Sequence, residues 1–188
     1  MNKIEKALMH GLFVHLHHNI EKVIDFKMFK ELNDKVSQTW PGALLVGPDA
    51  NDDAAVFRMP GVDGLFVGKM ESHCSPCVPR PYDAAATGAG GAMRDVVAMG
   101  ARPVFLLDFV GTRPVDQDVV VGPCGFSGRC TCGNCRIMKS GERLDLMIKG
   151  IRDMCASMDV FVVGGGFSSS FSDIVPAVVV AVFGKLVT

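Results

Sequence analysis

The sequence has almost no net charge, only one Trp and one Tyr, and no long unbroken apolar run. With 19 basic against 20 acidic residues the formal net charge is -1, which gives no bulk attraction for nucleic acid and leaves only a local patch as a route to it. The longest apolar stretch, Ile174 to Phe183, is too short to span a bilayer and is interrupted by Pro176. No early stretch joins a basic start, an apolar centre and a small-residue cleavage site as a secretory signal does. The expectation is a cytoplasmic protein with no membrane and no specific nucleic-acid partner. There is no convincing internal repeat, and the glycine-rich stretch near residue 90 has neither the GxxxxGK[ST] order of a P-loop nor the GxGxxG order of a dinucleotide site.

What is present suits one folded core: 188 residues, 48% of them hydrophobic and 21% charged. Glycine, proline and methionine are plentiful, at 21, 10 and 11 residues. The seven cysteines are an odd number, and four of them fall between Cys124 and Cys135, which favours metal or redox chemistry over a secreted disulfide framework.

From Met1 to Val36 the pattern is helical, with Ile4, Leu8, Leu12, Leu16 and Ile20 at four-residue spacing and Asp25 as a cap for a second short helix. His10, His15, His17 and His18 lie in this segment, and surface or interface roles suit them better than a metal site. Trp40-Pro41-Gly42 punctuates the chain before a short strand over Ala43 to Val46. The next turn carries Asp49, Asp52 and Asp53, which read equally as a solvated loop or as an oxygen-rich Mg²⁺ edge. Ala54 to Met59 and Leu65 to Met70 form an expected hairpin. A helix is expected from Asp83 or Thr87 through Met99, with Gly88, Gly90 and Gly91 loosening its start. Ala101-Arg102-Pro103 ends it, and Val104 to Val110 is a strand. Residues 116–141 read as an irregular Cys-rich insert. A helix over Glu142 to Met158, a strand over Val160 to Val163, a flexible loop at Gly164-Gly165-Gly166 and a final strand within Ala177 to Leu186 complete an α+β chain, a small mixed or antiparallel sheet covered by helices.

The chemistry concentrates between Lys69 and Asp95. Lys69, Glu71 and His73 alternate along an extended stretch and so share one face, placing a cation, a carboxylate and an imidazole side by side. The same residues also suit a polar strand edge with an incidental histidine. The small residues Ala84 to Gly91 would let a ligand approach backbone N–H groups, and Arg94 and Asp95, one turn further, suit an anion and Mg²⁺ respectively or else surface ion pairs.

The run KMESHCSP, then RPYDAAATGAGGAMRDVVAMGARPVFLLD, resembles the amino-terminal synthetase segment of formylglycinamide ribonucleotide amidotransferase, in the superfamily of aminoimidazole ribonucleotide synthetase, selenophosphate synthetase and thiamine monophosphate kinase. Weaker similarity reaches back to DDAAVF and on to MIKGIRDMCASMDVFVVGGG and AVVVAVFGKLV, so it covers most of 43–187 and leaves out the first helix and the Cys-rich insert. The resemblance implies a sheet packed against helices that pairs, as a homodimer or with a separate carboxy-terminal synthetase-type partner, into a shared barrel holding ATP and Mg²⁺. It implies Lys69 as a nucleotide contact, Glu71 and Asp95 as magnesium ligands, His73 as general base, and Ser72 and Arg94 as contacts to a small phosphorylated substrate. The family reaction phosphorylates an amide oxygen and displaces phosphate with ammonia. Two family positions differ: Ser72-His73-Cys74-Ser75-Pro76 lacks the second histidine of SHNHPS, and Gly164-Gly165-Gly166 stands where GGE is usual. The sequence also ends where the family begins a second α/β domain and has no glutaminase cysteine–histidine arrangement, so a complete amidotransferase is not expected in this polypeptide alone.

Cys124, Cys130, Cys132 and Cys135 form a rival centre, able to bind zinc or an iron–sulfur cluster, although their spacing departs from a two-plus-two zinc knuckle. Unliganded thiols in an insert are the bland alternative. Cys74-Ser75-Pro76-Cys77 adds a CxxC pair with redox potential. Two functions stand side by side: a domain binding Mg-ATP or a phosphorylated ligand, with catalysis open, and a catalytically inactive metal-stapled interaction or dimerisation module.

Overall fold

The computed structural model describes residues 29–50, 52–125, 129–130, 132–169 and 176–187, Asp49 by its backbone only. Residues 29–39 form helix α1. The rest of the expected amino-terminal helical segment, with its four histidines and Asp25, lies outside the described residues. The core domain runs through β1 (Leu44–Val46), β2 (Ala55–Phe57), β3 (Phe66–His73), α2 (Pro81–Ala98), β4 (Ala101–Gly111), β5 (Asp118–Val121), β6 (Arg136–Lys139), α3 (Ser140–Ser157), β7 (Phe161–Ser168) and β8 (Ala177–Leu186).

Six strands form one mixed sheet in the order β1-β2-β3-β8-β4-β7. All neighbours are antiparallel except β4 and β7, which are parallel because α3 lies in the crossover between them. The edge strands β1 and β7 stand at opposite ends, and among the described residues the sheet does not close into a barrel. No helix among the described residues is long and apolar enough to cross a membrane.

Strand periodicity decides which side the helices cover. Val67 of β3, Leu106 and Val110 of β4, and Val178, Val180 and Val182 of β8 are buried against Ala85, Ala89, Ala92, Met93 and Val96 of α2. Met147, Ile151 and Cys155 extend that core from α3. The alanines of α2 allow close packing, and α3 crosses it at Gly150, where a Cβ would lie 2.3 Å from the Tyr82 carbonyl oxygen. The other sheet face is apolar and open, with Met70, Phe105, Leu107 and Phe161 exposed.

Several sequence expectations change. Helix α2 starts at Pro81, whose fixed φ suits a first turn, and Asp83 adds favourable charge there. Gly88, Gly90 and Gly91 therefore lie in the helix interior and not near its start; their propensity cost is offset by the approach they allow. The helix ends at Ala98 and the chain turns away at Gly100, φ 78°, so that Ala101-Arg102-Pro103 already belong to β4, where a register shift between Pro103 and Phe105 accommodates the residue without an N–H. The supposedly irregular insert contains the two-stranded β5–β6 sheet. Gly164-Gly165-Gly166 are strand residues of β7, paired with Leu107, Asp108 and Phe109. A Cβ at position 165 would fall on the Asp108 carboxylate and backbone, which explains glycine there. The hairpin of β2 and β3, the helix beginning near Glu142 and the last strand form as expected.

Candidate functional site

Alternation along β3 points Lys69, Glu71 and His73 toward α2, which follows after a short helical turn at Ser75–Cys77. Lys69 Nζ lies 2.7 Å from Asp95 Oδ2 on the buried side of α2, and donates a hydrogen bond of 2.8 Å to the Asp53 carbonyl. Arg94, largely exposed, grips the other Asp95 oxygen through Nε and Nη2 at 3.0 and 2.8 Å. Burial opposes charge on Asp95, but the hydrogen bonds from Lys69 and Arg94 overcome it and hold the carboxyl below its ordinary range.

Glu71 Oε1 lies 3.1 Å from His73 Nε2, and His73 Nδ1 lies 3.0 Å from the Ala84 carbonyl. Because a carbonyl only accepts, Nδ1 carries a proton. The Glu71 hydrogen bond outweighs the desolvation of the ring and raises the His73 pKa above the usual imidazole value. Glu71 Oε2 is buried and has no hydrogen-bond partner.

The glycines of α2 make this arrangement fit. A Cβ at Gly91 would sit 2.7 and 2.9 Å from the two Glu71 carboxylate oxygens, and one at Gly88 would touch the His73 ring at 3.4 Å. Gly90 faces α3, where a Cβ would meet Met154 Cε at 3.1 Å. All three lie inside α2, where backbone N–H groups bond along the helix.

The structure thus brings Lys69, Glu71, His73, Arg94 and Asp95 together between β3 and α2. Asp53 joins through its carbonyl; the Asp52 carboxylate instead accepts the Asp53 N–H at 2.9 Å. Ser72 is exposed on the opposite face of the sheet, because it is out of phase with Glu71 and His73. Among the described residues, the carboxylates do not converge into a metal-binding set of three. Cys77 is buried and donates to the His73 carbonyl at 3.2 Å; burial pushes its thiol up to about 12, which disfavours the thiolate.

The second centre lies in the insert. The sulfurs of Cys124, Cys130, Cys132 and Cys135 all fall within 4.8 Å of one another. Cys124 and Cys132 are 3.2 Å apart, and Cys132 and Cys135 are 3.7 Å apart.

Sequence reasoning passed over a buried polar group at the start of α3. Arg143 is buried, donates from Nη2 to Thr112 Oγ1 at 3.1 Å and leaves Nε without a partner. Thr112 and Ser140 share a 2.6 Å hydrogen bond. Burial brings the guanidinium down to about 10. Thr112 and Ser140 are separated by the whole insert, and no local pattern links them.

A mixed sheet with helices on one face defines the class first: this is the fold shared by the solved structures of T. maritima PurL and of thiamine monophosphate kinase from Aquifex aeolicus. The chain belongs to the AIR synthase related protein family, N-terminal domain, whose profile matches residues 51–186. It is 53% identical over 66 residues to the phosphoribosylformylglycinamidine synthase subunit PurL of Halobacterium salinarum, covering 35% of this chain and 9% of that relative. The subunit PurL of Methanocaldococcus jannaschii is 34% identical over 173 residues, covering 90% and 20%. The solved structure of T. maritima PurL complexed with ADP matches with a TM-score of 0.52 at 28% identity, over 80% of this chain and 21% of that one. The chain therefore spans 9% to 21% of the length of these relatives.

Proposed function

We propose that this domain binds Mg-ATP or another phosphorylated compound between β3 and α2, as one half of an amide-activating synthetase whose second half comes from a partner or from more of the chain. The observation that carries the reading is the buried, partnerless Glu71 Oε2 beside an imidazole and a lysine–aspartate pair. An ionised oxygen left unpaired in that position is costly, and a cation would satisfy it. Glu71 and Asp95 are the residues to hold Mg²⁺, with Asp52 and Asp53 at the edge; one or two carboxylates completed by phosphate oxygens and water are the usual set for this ion. Bound there, Mg²⁺ would neutralise phosphate charge during transfer.

The chain's own groups take defined parts. The Lys69 ammonium has three N–H donors, of which Asp95 and the Asp53 carbonyl take two, leaving the third for a phosphate oxygen. Arg94 is anchored to Asp95 through Nε and Nη2 and is exposed enough to offer its remaining N–H groups to an anionic substrate. His73 spends Nδ1 on Ala84, so Nε2 is its proton-accepting atom once Glu71 turns to a cation. Ser72 contacts a substrate only from the open sheet face, where Met70 also lies.

That face carries the pairing. Its exposed Met70, Phe105, Leu107 and Phe161 suit a second sheet of the same kind, in a homodimer or on a carboxy-terminal synthetase-type partner. The same face supports the second reading, an inactive pairing module. Calorimetric titration with ATP in the presence and absence of Mg²⁺ separates the two. Binding that requires Mg²⁺ supports the synthetase reading; no binding in either condition, with self-association intact, overturns it in favour of the pairing module.

A further inference from the structure

We infer that Cys124, Cys130, Cys132 and Cys135 hold a single zinc ion in a tetrahedral thiolate site, and that this ion fastens the insert against the segment that follows His73. The metal site stands independently of the ATP reading. The sulfur spacing distinguishes one ion from a cluster. Zinc–sulfur bonds of about 2.3 Å place tetrahedral sulfurs roughly 3.8 Å apart. The observed separations of 3.2 and 3.7 Å, and the 4.8 Å limit for all pairs, fit that scale. An iron–sulfur cluster spreads its cysteines over more than one iron with sulfide between, and needs a wider ring of ligands.

Backbone geometry around the sulfurs agrees. The Cys124 N–H points to Cys135 Sγ at 3.3 Å and the Asn134 N–H to Cys132 Sγ at 3.4 Å. Such N–H groups stabilise thiolate charge and orient metal ligands. Gly133, at φ 72°, makes the tight turn between Cys132 and Cys135, and Gly122, at φ 134°, lets Cys135 approach to 3.1 Å of where its Cβ would be. Four thiolates collected without a cation would repel one another. Zinc bound by four thiolates carries negative charge, and Arg129 and Arg136 are the flanking cations.

The fold explains why a staple is needed and what it braces. β5 and β6 are four residues each and form a separate two-stranded sheet, which has little stability of its own. The chain between them returns across the protein at Gly125, whose missing Cβ would lie 2.3 Å from Val78 Cγ1. Val78 is buried and directly follows the helical turn holding Cys77, which itself bonds the His73 carbonyl. The metal site therefore secures one wall of the β3–α2 connection.

Elemental analysis of the reduced wild-type protein is expected to give about one zinc per chain, and cobalt substitution the strong visible bands of tetrahedral thiolate coordination. Cys132→Ser and Cys135→Ser should each weaken zinc affinity by more than roughly tenfold, while Cys74→Ser leaves it unchanged. Hydrogen exchange over residues 74–80 should slow on adding zinc to the metal-free wild type. The proposal fails if the wild-type protein carries iron with sulfide, if all four thiols react with an alkylating agent equally with and without zinc, or if mass analysis finds them joined as disulfides in protein purified anaerobically with zinc present. These wild-type measurements decide the matter even where a serine variant does not fold. Unchanged exchange at residues 74–80 with zinc bound would overturn the bracing and leave the metal site.

Discussion

Glu71 and His73 are joined on one face of β3 at 3.1 Å, and the imidazole is held at its other nitrogen by the Ala84 carbonyl. The ring thus has a carboxylate to balance a positive charge and a backbone acceptor to fix its orientation, which is why its pKa rises despite burial.

The Glu71→Gln variant should bring the His73 pKa down, below the ordinary histidine value, because the burial that opposes charge remains. The sign for stability follows: a raised folded pKa stabilises fully below the unfolded pKa and loses that contribution as pH rises through the folded pKa. In the wild type the His73 contribution is therefore lost on the alkaline side of the ordinary imidazole range. An NMR titration of the His73 ring checks this, with His73→Gln to assign its signal; an unchanged midpoint in Glu71→Gln would count against the pairing.

Asp95→Asn keeps the shape of the side chain but removes its charge from Lys69 and Arg94. A loss of about 1–3 kcal/mol is expected at neutral pH, since three charge-assisted bonds weaken at a buried position. Because the folded Asp95 pKa is lowered, its contribution is present above the unfolded carboxyl pKa and disappears as pH falls through the folded value. Urea unfolding at neutral and acid pH should show the gap between wild type and variant closing in acid. The same variant should weaken Mg-dependent ATP binding while the fold persists; equal affinity would remove Asp95 from the ligand set.

At Gly150 a methyl group would meet the Tyr82 carbonyl oxygen at 2.3 Å, where two helix backbones cross. Gly150→Ala should destabilise by about 1–3 kcal/mol despite the roughly 1 kcal/mol gained in helix propensity. Gly91→Ala instead strikes the Glu71 carboxylate, so it should also shift the His73 titration. Thermal unfolding and the ring titration together separate the two: Gly150→Ala should move only the first.

Met70→Lys and Phe161→Lys place charge on the open sheet face, where both side chains are about 70% exposed, at 69% and 71%. Each should change the stability of the isolated domain by less than about 0.5 kcal/mol and abolish its self-association. Light scattering coupled to size-exclusion chromatography reads the outcome; a dimer that survives both charges would place the pairing surface elsewhere.

Local signals carried far in this chain. Alternation of Lys69, Glu71 and His73 placed them on one face because side-chain direction in a strand follows from backbone geometry alone. The β2–β3 hairpin and α3 were legible for the same reason, as short-range periodicity with turn residues between. Glycine was legible in one place and not in the other. Gly88, Gly90 and Gly91 read as weakening the start of a helix, since helix propensity counts against glycine; packing gives the reason they are there, because Gly88 and Gly91 admit His73 and Glu71, and Gly90 admits Met154. Gly164 to Gly166 read as a loop, but their place in β7 is set by β4 beside them.

The α+β class, the faces of the strands and the residue types of both centres were legible in the amino-acid order, because they depend on periodicity and side-chain chemistry. Packing set the rest: that Glu71 keeps one oxygen buried without a partner, that Asp95 is already paired, that Ser72 faces away, and that four irregularly spaced cysteines meet. Those outcomes depend on how α2 and the insert lie against β3, and contacts between segments far apart in the chain leave no local pattern to read.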